Sequence, residues 1–165
     1  METNKTNWKK NLDSSFISGE DLMAGLNGLQ PEMVVIVNSF KDEATFDQNK
    51  QQKVTVTGLF FKTIDEKALY KPVVLNKTNA RFLAKETGSH FMEDWVGKTF
   101  ILFAQKDSRH GYVVRLKSYH AQLLTVDSDN FKNCKIAYQK DPKNLEIIKR
   151  KYKLSPEVEQ LLIGK

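Results

Sequence analysis

Apolar and polar positions along the chain separate into five strand-like segments and one helical segment. The strands are predicted at residues 33–40, 53–63, 69–75, 99–104 and 112–117. Between the third and fourth strands, a polar cap at Asn76 or Thr78 leads into a helix that ends near Gly88. The predicted order is therefore strand, strand, strand, helix, strand, strand.

This order is typical of the OB-fold, a mainly β five-stranded barrel with one helix between strands three and four. Gly58, in the middle of the second strand, indicates the bulge or bend that a small barrel needs. Residues 41–52 are predicted to form a polar loop, and residues 106–111 a hairpin loop. Trp95 is expected to fill the core between the helix and the fourth strand.

The remaining sequence predicts short flanking segments around this domain. We expect a flexible N-terminal arm at 1–15, the OB-fold domain at 16–118, a linker at 119–130 and a helical C-terminal extension at 131–165. Ser18 and Asp21 are spaced as a capping box that begins a short helix. Asp141-Pro142 and Ser155-Pro156 each indicate the start of a C-terminal helix.

Composition and charge indicate where in the cell the protein is found and, less strongly, which class of partner it binds. The chain has 165 residues and a net charge of +6, which suits a phosphate-rich partner but is also common among proteins that bind no nucleic acid. Cys134 is the only cysteine, so an intrachain disulfide and a cysteine-based zinc site are excluded. The first residues lack a signal-peptide core, and no apolar run reaches the roughly 20 residues of a membrane span. These features predict a cytoplasmic protein without membrane contact.

No catalytic constellation is recognisable in the sequence. His90, His110 and His120 lie in separate predicted loops, without metal-ligand spacing to one another. Cys134 has lysines nearby but no predicted base, so a packed thiol is favoured over a reactive one. The glycines form no phosphate-binding loop. The prediction is a protein that is not an enzyme and needs no metal or cofactor.

A binding function is indicated instead by aromatic side chains interleaved with basic ones. Single strands bind by stacking of bases on aromatic faces and by a positive groove along the backbone. In an OB barrel the ligand lies over strands two and three, between the loops that join strands one to two and four to five. The residues predicted for that surface are Phe46, Lys53, Phe60, Phe61, Lys62, Tyr70, Lys71, Lys106, Arg109, His110, Arg115 and Lys117.

Each of these residues also has a structural interpretation. Strand alternation requires one of Phe60 and Phe61 to fill the core, so only one of them can face a ligand. Tyr70 could close one end of the barrel, and the lysines could serve only to keep the protein soluble.

Four segments resemble a family of small phage and prophage proteins. They are Phe16-Ile-Ser-Gly-Glu-Asp-Leu22, Val73-Val-Leu-Asn-Lys-Thr-Asn-Ala80, Thr87-Gly88 and Asp94-Trp-Val-Gly-Lys98. The resemblance covers residues 16–118, is specific in the two central motifs and implies a phage or mobile-element setting with replication and recombination genes. The residues 23–32, the loop 106–111 and the tail from 131 depart from the family. Asn76, Lys77 and Asn79 match its motif, where helix capping or an anion site are the alternatives.

The resulting functional prediction is non-sequence-specific binding of single-stranded DNA in phage or mobile-element replication and recombination, in the host cytoplasm. A phage or host replication protein is a further expected partner. The alternative is an OB-fold protein-interaction module that binds or inhibits a host or phage replication or defence protein. RNA binding in translational regulation is a third interpretation.

Overall fold

The computed structural model describes residues 15–47 and 50–164, so nearly all of the predicted N-terminal arm lies outside the described residues. The chain divides into two compact units. The first comprises Met1–Thr63 and Ala68–Ser118, and the second comprises Ile64–Lys67 and Tyr119–Lys165. Each unit has its own cluster of buried apolar side chains.

The first unit is an antiparallel sheet with helices. Its elements are α1 (Gly19–Ala24), β1 (Glu32–Asp47), β2 (Gln52–Thr63), β3 (Val73–Val74), α2 (Lys77–Thr87), β4 (Thr99–Asp107) and β5 (Gly111–Ser118), with 3₁₀ turns at Leu26–Gly28 and Met92–Trp95. The five strands are ordered β3-β2-β1-β4-β5, and every neighbouring pair is antiparallel. The predicted mainly β fold with helices is confirmed.

The prediction of a polar loop at residues 41–52 was wrong. β1 continues to Asp47 and pairs with β2 from Val35↔Thr63 to Asp47↔Gln52, with a register shift between Val37 and Ser39. Beyond the shift the described residues of the two strands extend as a long hairpin arm (residues 41–47 and 50–57). None of the described residues of this arm belongs to the hydrophobic core, so both faces of the arm can carry polar side chains. One polar pair is formed across the strands, where Asp42 accepts a hydrogen bond from the Thr57 hydroxyl at 2.9 Å.

The expected closed barrel is not present. In the described residues β3 pairs only with β2, and β5 pairs only with β4, so the sheet remains open between β3 and β5. The predicted third strand at 69–75 shrinks to Val73–Val74, since Pro72 has no backbone N–H for a ladder.

Residues 16–19, just before and at the start of α1, reach both open strands. The Ile17 amide donates to the Pro72 carbonyl at 2.8 Å. On the other side, a Cβ added to Gly19 would lie 2.3 Å from the Tyr112 carbonyl, a contact that forces the backbone to shift. Glycine therefore allows α1 to approach β5 closely.

Local capping signals were interpreted correctly. Ser18 and Asp21 form the predicted capping box at α1, with bonds of 2.8 and 3.2 Å. At α2, the Asn76 side chain accepts from the Asn79 amide at 2.9 Å, and Gly88 ends the helix in the left-handed conformation. The capping interpretation of Asn76 is thereby confirmed.

Trp95 is 3% exposed and belongs to the first unit's core, which confirms its predicted place. Its indole Nε1–H donates to the Ser89 carbonyl at 2.9 Å. Asn79 is also buried, and its side-chain amide donates to the Val114 carbonyl at 3.2 Å, so α2 is joined to β5 by a buried polar contact.

The second unit contains three helices and a two-stranded parallel sheet within its described residues. Its elements are β6 (Gln122–Leu123), α3 (Asp129–Lys140), α4 (Asn144–Lys151), β7 (Tyr152–Lys153) and α5 (Pro156–Ile163). Ser155 caps α5 as predicted. The α-helix α4 begins at Asn144, two residues after Pro142, because the preceding turn is closed by tighter i→i+3 bonds, in which the Asn144 amide donates to the Asp141 carbonyl and the Leu145 amide to the Pro142 carbonyl. No helix in residues 15–47 or 50–164 is long and apolar enough to cross a membrane.

The second core is small. It consists of Leu124, Phe131, Cys134, Ile148, Tyr152, Val158 and Leu162. The dense basic run that closes α4 is largely engaged with neighbouring groups of the same unit. Lys149 pairs with Glu159 at 2.6 Å, Arg150 pairs with Glu66, and the Lys151 ammonium lies 5.5 Å from the Tyr152 ring centre.

Candidate nucleic-acid interface

The register of the first unit's sheet brings four of the predicted ligand-binding residues onto one face. Lys62 pairs with Ile36, which pairs with Thr99. Two residues along β4, Ile101 pairs with Lys117, and Phe103 pairs with Arg115. Since directly paired residues and residues two apart share a face, Phe60, Lys62, Arg115 and Lys117 lie on the side opposite the core. We call this side the outer face.

The cations of the outer face are held by specific contacts. The Lys117 ammonium pairs with the Glu32 carboxylate at 2.7 Å and lies 5.1 Å from the Phe103 ring centre. The Arg115 guanidinium donates from Nη1 to the Val114 carbonyl at 3.1 Å. The Lys117 ammonium is thus held beside an aromatic ring, although Glu32 offsets part of its positive charge.

Phe61 does not belong to the ligand-facing set. It is 1% exposed and fills the core opposite Val37, whereas Phe60 is only half-buried and points to the outer face. The alternation of β2 therefore makes Phe60 the member of the pair that can contact a ligand. Phe61 is removed from the set of predicted ligand-binding residues, and Phe60 stays in it.

A second group stands on the hairpin arm. Phe46 is 53% exposed and pairs directly with Lys53, so an aromatic ring and an ammonium project from the same side near the tip. The Lys50 amide donates to the Asp47 carboxylate at 3.1 Å. The arrangement can stack a base on Phe46 while Lys53 meets the adjacent phosphate.

The β4–β5 hairpin carries the third group. One carboxylate oxygen of Asp107 accepts from the Arg109 amide at 2.9 Å, the His110 amide at 3.0 Å and the His110 ring at 2.9 Å. These bonds lower the pKa of Asp107, the Arg109 amide most and the His110 ring next. Lys106, Arg109 and His110 are all exposed, and the His110 ring contacts the Asp107 carboxylate.

Tyr70 and Lys71 form a fourth group away from the strand ladders. The Lys71 ammonium lies 5.6 Å from the Tyr70 ring centre, in a segment that is not a strand. The pKa of the Tyr70 hydroxyl is raised, mainly by burial and then by the negative charge of Asp21. Tyr70 lies outside the strands, so the pairing of the sheet does not place it on the outer face with Phe60.

Within the described ranges, no group of three or more His, Cys, Asp or Glu side chains is placed to hold a metal ion. Cys134 is buried, and burial raises the pKa of its thiol. A raised pKa lowers the thiolate fraction at neutral pH, so the described environment does not activate this cysteine as a nucleophile.

Two features near α2 were missed by the interpretation of the sequence. Lys77, Arg81 and Lys85 recur every four residues, a spacing that places cations in one row of a helix and that could have been noticed. Phe91 is 70% exposed, the highest value among the exposed large apolar side chains. Sequence alone gave no sign of this exposure, because an aromatic residue between a helix and a strand is commonly buried.

The chain was compared with known proteins by three routes. No protein-family model, no curated protein and no solved structure matches it.

Proposed function

We propose that the first unit is an OB-fold-like domain that binds single-stranded DNA without sequence preference. The observation that carries the proposal is the outer face, on which Phe60 and Lys62 from β2 share a surface with Arg115 and Lys117 from β5. An aromatic ring among cations is the arrangement that holds a single strand by stacking and by phosphate contacts together.

The OB-like assignment is supported by strand order and by the position of α2. A β3-β2-β1-β4-β5 sheet with a helix between β3 and β4 in the sequence corresponds to an OB barrel opened between its third and fifth strands. OB-folds use the loops between strands one and two and between strands four and five for binding. In this chain those loops are the arm with Phe46 and Lys53 and the hairpin with Lys106 and Arg109.

Sequence-independent binding follows from the kinds of contacts available. Every base has a π-face, so stacking on Phe60 or Phe46 tolerates any sequence, and lysines contact phosphates, which are identical along the strand. The phage or mobile-element setting, with a role in replication or recombination, rests on the two motifs around Asn76 and Trp95 that resemble the phage family.

Fluorescence anisotropy with labelled oligo-dT at several salt concentrations tests the proposal. With about three to five phosphates contacted, log affinity against log salt should slope by roughly −2 to −3.5. Lys62→Gln and Arg109→Gln together should flatten this slope, because two phosphate contacts are removed. Duplex DNA should bind more weakly, since its bases are not free to stack.

The aromatic contribution is tested separately at Phe60. Phe60→Leu keeps an apolar side chain in the half-buried site but removes the π-face, so binding should weaken while the salt slope stays the same. Phe60→Ala gives the same comparison with a larger loss of volume, and a thermal melt of each variant checks that the fold is retained. Absence of binding by the unaltered protein at micromolar concentration and low salt would refute the proposal.

One observation favours the alternative of protein interaction. The centre of the outer face is apolar, since Val34, Ile101 and Phe103 lie between the flanking cations and are only partly buried. Apolar side chains ringed by charges also suit a protein partner such as a phage or host replication or defence protein. Failure to bind oligo-dT would make this the leading interpretation.

A further inference from the structure

One side of α2 forms a groove lined by cations and by no acidic side chain. The groove has a volume of about 540 Å³, and its lining residues are Lys77, Ala80, Arg81, Ala84, Lys85, Gly88, His90 and Trp95. It belongs wholly to the first unit and shares no residue with the outer face, the hairpin arm or the β4–β5 hairpin. We call it the α2 groove.

The three cations of the α2 groove form a row along the helix. Lys77, Arg81 and Lys85 follow one another every four residues, which corresponds to about 6 Å of helix rise per step. All three are exposed, and no described residue offers any of them a side-chain hydrogen bond or an ion pair. Like charges at this spacing destabilise a helix, so the row is unfavourable for folding and complementary to a polyanion.

An exposed aromatic side chain follows directly after the groove. Phe91 comes next to His90 and is 70% exposed, so its ring is not held by the core. Its backbone is fixed nonetheless. The Phe91 amide donates to the Ser89 hydroxyl at 3.1 Å, and the Phe91 carbonyl accepts from the Asp94 amide at 3.2 Å.

Ser89 connects the turn that contains Phe91 to the core of the first unit. Its carbonyl accepts from the buried Trp95 indole, and its hydroxyl donates to the Asp94 carboxylate. The Asp94 carboxylate is thus engaged within the turn, and Glu93 is the remaining acidic group of that turn. A ring presented on a fixed backbone loses little conformational freedom when a base stacks on it.

From these observations we propose that the α2 groove and Phe91 form a second contact surface for single-stranded nucleic acid. Lys77, Arg81 and Lys85 bind successive phosphates, and Phe91 stacks a base at the end of the row. This inference rests on the proposed function for the class of its ligand, and it adds a surface on the helical side of the domain. A strand long enough to reach both surfaces gains affinity from each.

The charge row is tested by changing Lys77→Gln, Arg81→Gln and Lys85→Gln together. Anisotropy with labelled oligo-dT should show the magnitude of the salt slope reduced by about 2, at about 0.7 per lost phosphate contact. The matched control changes Lys140→Gln, Lys143→Gln and Lys153→Gln, three exposed lysines of the second unit. Both variants lower the net charge from +6 to +3, so equal flattening in the two would overturn the proposal.

The stacking contact is tested by Phe91→Ala and Phe91→Trp. Phe91→Ala should weaken binding of oligo-dT roughly 5- to 150-fold and leave the slope of log affinity against log salt unchanged. Phe91→Trp, which keeps an aromatic ring, should bind like the parent protein. Because the ring is exposed, both variants should melt like the parent protein. Binding by Phe91→Ala equal to that of the parent would overturn the second surface while leaving the proposed function intact.

Two further outcomes separate the ligand classes. If the parent does not bind oligo-dT, the proposed function and this inference both fail. If polyglutamate of matched charge displaces the oligonucleotide as well as unlabelled oligo-dT does, positive charge alone accounts for binding, and the nucleic-acid assignment of the α2 groove and of the outer face is wrong.

Discussion

Replacing Trp95 tests the core of the first unit and the anchor of the Ser89–Phe91 turn together. The side chain is 3% exposed and donates a hydrogen bond to the Ser89 carbonyl. Burial of an aromatic side chain removes about 150–250 Å² from water, equivalent to about 4–6 kcal/mol at about 25 cal/mol per Å². Measured aromatic-to-alanine replacements in cores cost about 3–5 kcal/mol, and we expect Trp95→Ala to fall in that range.

Trp95→Phe separates packing from hydrogen bonding. It retains one aromatic ring but leaves the Ser89 carbonyl without its indole donor, so a loss of about 1–3 kcal/mol is expected. In thermal melts followed by circular dichroism, 1 kcal/mol corresponds to about 2–4 °C for a chain of 165 residues. Trp95→Ala should therefore lower Tm by at least about 6 °C.

The control for this comparison is Phe46→Ala. Phe46 is an aromatic residue outside the core, and its removal should change stability by no more than about 0.5 kcal/mol. A decrease in Tm of less than about 4 °C for Trp95→Ala would mean that Trp95 is not packed as the structure shows.

Two further predictions concern polar contacts of the same unit. Asn79→Ala should destabilise by about 0.5–1.5 kcal/mol in urea unfolding, because it removes one buried hydrogen bond to the Val114 carbonyl, which still accepts from the Arg115 guanidinium; Thr78→Ala, at the exposed neighbouring position, is the control, and equal midpoints for the two variants would contradict the role of Asn79. The lowered pKa of Asp107 means that its hydrogen bonds to Arg109 and His110 are formed above the ordinary aspartate pKa and are lost as the pH falls through the lower folded value. The Asp107-linked change in the amide chemical shifts of Arg109 and His110 should therefore fall below the usual aspartate range, and in Asp107→Asn this change should disappear.

Signals that depend on a few neighbouring residues could be predicted from the sequence. The Ser18–Asp21 capping box, the Asn76 cap and the Ser155 cap are all present, because each is formed by backbone and side-chain groups three residues apart. The buried place of Trp95 was also predictable, since the turn between α2 and β4 leads a large ring towards the core.

Structural features that depend on contacts between distant parts of the chain could not be predicted from the sequence in the same way. The hairpin arm lacks a core beneath it, so apolar periodicity, the main sign of a strand, is absent from residues 41–47. The opening between β3 and β5 lies beside Ile17 and Gly19, whose contacts with Pro72 and Tyr112 join parts of the chain that are far apart in the sequence. Among the predicted ligand-binding residues, strand alternation required one of Phe60 and Phe61 to be buried. The sequence did not show which alternate set of β2 residues faces the core, so the structure was needed to decide between them.

The segment at residues 16–19 has a consequence for the behaviour of the protein in solution. An open sheet presents unpaired backbone N–H and C=O groups that can template a strand from another chain. Here the chain supplies its own cover, since the Ile17 amide satisfies the Pro72 carbonyl and Gly19 lies against the backbone of Tyr112. A bulky residue at position 19 would displace this cover, and the first result would be edge-to-edge self-association of the domain.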